Sequence, residues 1–371
     1  MRAIAIVDGE HYPEVVRAAL AELPYEFVAV RLVGGTEKLR GAPDYGVPVI
    51  ADGIAGAEIA VDLSDEPVLE PRRRFALASE ILAAGIPYTG ADFRFDPPVY
   101  HAFEMPSIAV VGTGKRVGKT AVTVHVARLL ARELEVVVVA MGRGGPEEPE
   151  LVSEPPTVEE LLARSRAGRH AASDHLETAA LAGVRTIGCR RAGGGLAGAP
   201  VTSNVLEGAR LAQSLDPDVV VFDGSGATIP PIAVDVRILV AHDLESGLNR
   251  YRMLVSDLVL RAGEDFSLRL QPTEELDGRV AVFTAGPADT DHLDADVVHV
   301  SRNLARRDLL REELAGLEAD TYLVELKAAA IDVVAEHAAA HGRRVVLAGN
   351  EVVADGLDER ILAFVPDRVR M

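Results

Sequence analysis

At 371 residues, with 48% hydrophobic side chains but only 4% aromatic ones, the chain exceeds what a single core serves and has the make-up of buried parallel strands. A net charge of −19 turns it away from nucleic acid and anionic membranes, and the single cysteine, Cys189, excludes an internal disulfide and a cysteine-based metal site. No run approaches the roughly 20 apolar residues that cross a bilayer. The first apolar run is also too short for a signal peptide, so a cytoplasmic protein with no nucleic-acid or membrane partner is expected.

The first hundred residues alternate between strand and helix patterns. Strand-like runs fall at Ala3 to Val7, Phe27 to Val33, Ile59 to Leu63 and Pro87 to Thr89, with helical periodicity from Tyr12 to Leu23 and from Arg72 to Ala84. This alternation predicts a parallel sheet flanked by helices. The turns after its strands, VDGEHYP, VGGTEKL and DLSDEP, should share the sheet edge at which ligands bind. His11 in the first turn and Lys38 in the second are candidate phosphate donors. Arg72, Arg73 and Arg74 open a helix, where cations oppose the dipole and an anionic partner would relieve them. The proline-rich segment 92–107 marks a boundary, giving domains at 1–104 and 105–371.

The second domain opens with the most informative stretch of the chain. An apolar strand, SIAVV, leads into Gly112, Thr113, Gly114, Lys115, Arg116, Val117, Gly118, Lys119 and Thr120, and a helix with apolar residues at Ala121, Val124, Ala127 and Leu130 follows. Strand, glycine-rich loop and Gly-Lys-Thr at a helix start form a phosphate cradle. Loop and helix N–H groups face the phosphates of a nucleotide, Lys119 reaches the β/γ oxygens, and the Thr120 hydroxyl ligates Mg²⁺. The loop is one residue longer than the usual pattern. As Lys119 projects into a cradle, its loss is expected to cost activity and little stability.

Downstream, Asp223 ends the apolar strand DVVVF, where a phosphate-loop protein places the carboxylate that holds Mg²⁺ or its water. Arg143 stands in MGRGGP after the second strand, and Arg190 and Arg191 precede Gly193 to Gly195. Arginine forks beside glycine turns suit a polyphosphate. Lysine usage adds weight: 34 of the 38 basic residues are arginine, and two of the four lysines lie in the phosphate loop. The others are Lys38 and Lys327, the latter after the strand TYLVEL. Further strands, VRILVA, RVAVFTAG and RRVVLAG, complete an α/β chain of two domains. Each is a mainly parallel sheet flanked by helices, the second a P-loop NTPase domain.

Taken together, VDGEHYP, GGTEKL, DLSDEPV, GTGKRVGKT, MGRGGP, GCRRAGGGLAG, SNVLEGA, FDGSGA and VELKAAAIDVV resemble the cyclic 2,3-diphosphoglycerate synthetases. The lengthened loop is also similar to that of dethiobiotin synthetase, a class in which dimers often complete the site. The resemblance implies an ATP-dependent ligase acting on the small polyanion 2,3-diphosphoglycerate, as a homodimer, with Mg²⁺ and with K⁺ admitted beside it. Catalytic roles would fall to Lys119, Lys115, Arg143 and Asp223. Substrate contacts would come from Arg190, Arg191, His11, Lys38, Arg72 to Arg74 and Lys327. Two other readings stay open at this point: a 2-phosphoglycerate kinase or carboxylate-activating ligase, and an ATP-driven switch that binds a protein.

Overall fold

The first apolar run forms β1 (Arg2–Val7), buried from Ala3 onward. The computed structural model describes residues 1–39, 41–169, 171, 173–326 and 331–365. After β1 come α1 (Pro13–Glu22), β2 (Glu26–Leu32), β3 (Val49–Ile50), β4 (Ile59–Asp62), α2 (Pro71–Ala83), β5 (Tyr88–Thr89) and β6 (Arg94–Phe95). Both helices start on a proline, whose fixed φ suits the first turn and whose missing N–H is no loss there. The strands form one sheet in the order β3-β2-β1-β4-β5-β6, parallel except for β5 with β6. Strand order reverses between β1 and β4, which makes their carboxyl ends a topological switch point. With residues 195–199 and 243–256, this sheet belongs to a first unit ending at Val99.

The second unit begins with β7 (Ser107–Gly112), in which every residue is buried, and α3 (Lys119–Leu130). It continues through β8 (Val136–Gly142), β9 (Glu150–Val152), α4 (Val158–Arg166), α5 (Asp174–Ala182), β10 (Arg185–Ala192), β11 (Thr202–Ser203), α6 (Val205–Ser214), β12 (Val219–Asp223) and β13 (Val236–Ala241). The short helix α7 (Asn249–Leu254) belongs to the first unit, and β14 (Leu258–Arg261) returns to the second. The sheet order is β11-β10-β8-β12-β7-β13-β14, parallel from β10 to β14, with β9 and β11 antiparallel to β10. Valine-rich, doubly buried strands such as β8 are what a parallel sheet covered on both faces requires.

A third sheet lies in the same unit. Its elements are β15 (Ser267–Pro272), β16 (Arg279–Phe283), β17 (Asp296–Ser301), α8 (Arg307–Leu314), β18 (Thr321–Glu325), α9 (Ile331–Ala340), β19 (Arg344–Val353) and α10 (Leu357–Phe364), with strand order β15-β19-β18-β16-β17. The sequence pattern does not separate these strands from those before them, because both sets are short apolar runs alternating with helices. Packing separates them. Val122 and Val126 of α3 share a core with Val352 of β19, and Leu176 of α5 shares one with Phe283 and Tyr322. These helices are therefore apolar on more than one side, which blurs their periodicity.

Candidate functional site

The loop after β7 is held tightly. A side chain at Gly112 would meet the Gly226 carbonyl and Val117 Cγ2 at 3.1 Å. The Thr113 N–H donates to Val240 O at 3.2 Å, and its hydroxyl accepts from the His242 N–H at 3.0 Å, so the loop is tied to β13. Arg116 adopts φ +62° and Gly118 φ +91°, both in the left-handed region. For Arg116 that conformation stores about 1–2 kcal/mol of strain. No side chain caps the start of α3, so its first N–H groups remain open to an anion.

Lys119 lies only 8% exposed, its ammonium against Asp223 Oδ1, and the Thr123 hydroxyl donates to that oxygen at 2.8 Å. This corrects the expectation that Lys119 merely projects into an open cradle: here it compensates a fully buried carboxylate. Asp223 Oδ2 is buried and has no hydrogen-bond partner. Burial pushes the Asp223 carboxyl above its ordinary range against the pull of Lys119, and the charge of Asp174 pushes the same way.

Two guanidinium groups and the stem of Lys115 converge at the turn that follows Asp223. After β12 the chain turns at Ser225, and Gly226 takes φ +59°. A Cβ on Gly226 would meet Arg143 Nη2 at 2.8 Å, Arg191 Nη2 at 3.8 Å and Lys115 Cγ at 3.9 Å. They arrive from the phosphate loop, the turn after β8 and the end of β10. Arg191 is fixed by bonds to Gly193 O at 2.8 Å and Ser225 O at 2.9 Å, while its Nε is buried without a partner. Burial, with Arg143 beside it, holds its pKa below the ordinary arginine value. Among the described residues neither Lys115 nor Arg143 forms an ion pair. Arg190, one position earlier on β10, is instead half exposed, 3.7 Å from Glu147.

Sequence reasoning missed Asp174 and Thr123. Asp174 opens α5, and its Oδ2 lies 3.6 Å from the position of a Cβ on Gly142, at the carboxyl end of β8. Only its place in the Ser-Asp start of a helical pattern signalled it, and such a residue normally just favours the helix dipole. Asp223 Oδ2, buried and unpartnered, and the Asp174 carboxylate whose charge reaches it are oxygen donors of the kind that Mg²⁺ takes.

Models of three domains of cyclic 2,3-diphosphoglycerate synthetase match the chain: the N-terminal domain over residues 2–96, the P-loop domain over 107–269 and the C-terminal domain over 279–351. A protein named cyclic 2,3-diphosphoglycerate synthetase in Rubrobacter xylanophilus is 46% identical over 98% of this chain and 96% of its own length. The chain belongs to the cyclic 2,3-diphosphoglycerate synthetase family. Proteins of that name from Pyrococcus furiosus, 39% identical over 94% of each chain, and Methanothermobacter thermautotrophicus, 36% identical over 98% of this chain and 95% of its own, carry the similarity into archaea. The three matched segments of the family correspond to the three sheets, except that β15 falls before the C-terminal match.

The family's N-terminal segment holds the remaining candidates, in differing situations. Lys38 pairs with Glu10 at 3.1 Å and Arg72 with Glu245 at 3.0 Å, both on the surface. Arg73 donates to the carbonyls of Val33 and Val68 at 2.8 and 2.9 Å, so it braces backbone. His11 and Arg74 both line a cavity of about 570 Å³. His11 Nδ1 sits 2.8 Å from Asp8 Oδ1. Burial would raise the Asp8 carboxyl, but the Asp65 N–H and His11 outweigh it and keep it below its ordinary value. Lys327 lies outside the described residues.

Proposed function

We propose that the protein closes 2,3-diphosphoglycerate into its cyclic pyrophosphate, consuming ATP and releasing ADP and phosphate. Closure joins two phosphates that repel each other, so one must first become an electrophile. Transfer of the ATP γ-phosphoryl to one substrate phosphate breaks the bond to ADP and leaves a terminal pyrophosphate. An oxygen of the other substrate phosphate then attacks the inner phosphorus, and the bond to the outer phosphate breaks. The attack is intramolecular, and its proximity lowers the barrier.

The observation that carries this reading is the cup of Lys115, Arg143 and Arg191 around Gly226, beside the buried Lys119. In a chain of net charge −19, cations that form no ion pair among the described residues are the means to hold crowded phosphates. Loop N–H groups from Gly112 to Thr120 would cradle ATP, with Lys119 on its β/γ oxygens. Thr120, Asp223 and Asp174 would hold Mg²⁺, which neutralises charge on the transferring phosphoryl group. K⁺ is a further counter-charge. Arg190, half exposed and 3.7 Å from Glu147, stands outside this cup. We place the protein in the cytoplasm as a homodimer with no nucleic-acid partner. Among the described residues no helix is long and apolar enough to cross a membrane.

ADP release measured with and without 2,3-diphosphoglycerate tests the reading. Strong stimulation by that compound and none by 2-phosphoglycerate is expected. Stimulation by 2-phosphoglycerate alone makes the protein a kinase, and slow turnover indifferent to both makes it a switch.

A further inference from the structure

The carboxyl ends of β1 and β4 carry two buried aspartates, and each holds a side chain that lines the same cavity. Asp8 accepts from the N–H groups of Glu10, His11 and Asp65 at 3.0, 3.3 and 2.8 Å, and it holds His11 Nδ1 at 2.8 Å. Oδ1 accepts three of these bonds and Oδ2 one, and the other ring nitrogen of His11 is left for the cavity. Asp62 accepts from the Ser64 N–H at 2.9 Å, the Ser64 and Tyr88 hydroxyls at 2.5 Å each and Arg74 Nε at 2.9 Å. This fixes the guanidinium of Arg74, which also donates to Ser64 O at 3.1 Å. Val15, Val16 and Ala19 of α1, with Phe93, give the cavity an apolar wall. A concave site with an apolar wall and a few aimed donors, at a switch point, is the form of a small-molecule receptor.

We infer that this cavity of the first unit binds a small hydroxycarboxylate, with the Arg74 guanidinium and, in the doubly protonated ring, His11 Nε2 as donors to its carboxylate. Apart from Asp62 on Arg74 Nε, only loose carboxylates compete for those donors. Asp65 lies 3.5 Å from His11 Nε2 and Glu66 lies 3.7 Å from Arg74 Nη1, both largely exposed and beyond good hydrogen-bond distance. Exposed pairs of this kind contribute about 0–1 kcal/mol, so a ligand carboxylate displaces them. Glu66, Asp65 and Asp92 on the rim resist a triphosphate or a bisphosphate but accept hydrogen bonds from ligand hydroxyl groups. One carboxylate on a short hydroxylated body is the charge that the cavity can hold. The inference goes beyond the cyclisation reading, since it concerns a ligand without phosphate.

Glycerate, titrated into the full-length chain without nucleotide or metal and followed by ligand-observed NMR, tests this. Saturable binding at one site per chain is expected. His11→Gln should weaken it about tenfold through loss of a charge-assisted contact. Ala19→Leu, which narrows the cavity without touching either donor, should abolish it, and Arg191→Ala should leave it unchanged. The inference is overturned by the absence of saturation in the millimolar range, or by equal binding in the wild type, His11→Gln and Ala19→Leu. Loss of binding in Arg191→Ala overturns it too, as does inorganic phosphate binding at the His11 site in preference to glycerate. None of these outcomes bears on ADP release stimulated by 2,3-diphosphoglycerate, so the two readings fail separately.

Discussion

Lys119 shares its ammonium with a carboxylate that has no access to water, so its replacement acts twice. Lys119→Ala should abolish turnover and also lower the melting temperature, because an unpaired buried charge costs about 3–5 kcal/mol. Adding Asp223→Asn should restore part of the melting temperature and none of the turnover. A single Lys119→Ala variant with wild-type stability would show that the pair is not formed in solution. Asp223→Asn alone should reduce kcat about a hundredfold, roughly 2.7 kcal/mol of transition-state stabilisation, and weaken metal dependence. The neighbouring arginines separate in the same way. Arg191→Ala should raise KM for 2,3-diphosphoglycerate about ten- to a hundredfold while calorimetric ATP affinity stays within about threefold. Arg190→Ala, beside Glu147 on the other side of the strand, should stay close to wild type. Equal losses from both would restore the symmetric roles that their adjacency in the sequence suggests. That adjacency hides the difference: consecutive strand residues face opposite ways, but the glycines after Ala192 obscure where the strand ends.

At the level of elements, the turn after β12 and the start of α5 control the site from two sides. Gly226→Ala would place a methyl group 2.8 Å from Arg143 Nη2 on a backbone at φ +59°. It should cut kcat/KM at least about tenfold with ATP binding retained, and unchanged kinetics would remove Arg143 from the substrate's surroundings. His175, next to Asp174, is buried against Gly188 of β10, and burial lowers its pKa to about 4 although Glu150 pulls it upward. The unfolded chain takes up that proton near pH 6.5, whereas the folded chain resists to about 4. The stability it contributes is therefore complete above pH 6.5 and falls as the pH drops toward 4, by about 2 kcal/mol at pH 5. Melting temperatures at pH 7 and 5 should differ less in His175→Gln than in the wild type, and an identical difference would exclude His175 as the source. Elements with local signatures were legible in the sequence: β1, β7, the phosphate loop, and the two helices that begin on prolines. Strands β3 and β6, of two residues each, offer no period to detect. Asp174 was not legible because its role arises where α5 meets the end of β8, a contact between residues 32 positions apart in the sequence.

For the whole molecule, an acidic surface surrounds a few aimed cations. Long-range charge opposes every polyanion, so selectivity rests on short-range contacts that survive screening. Raising the salt concentration should therefore weaken the surface repulsion without removing the buried contacts of Arg191. The central claim is that the cation cup and the phosphate loop together form a phosphoanhydride within one substrate molecule. ³¹P NMR of 2,3-diphosphoglycerate incubated with the protein, ATP and Mg²⁺ tests this most directly. The two phosphomonoester signals should give way to coupled pyrophosphate-type signals, with ADP and inorganic phosphate appearing in equal amounts. ADP and phosphate accumulating while both monoester signals persist would contradict it.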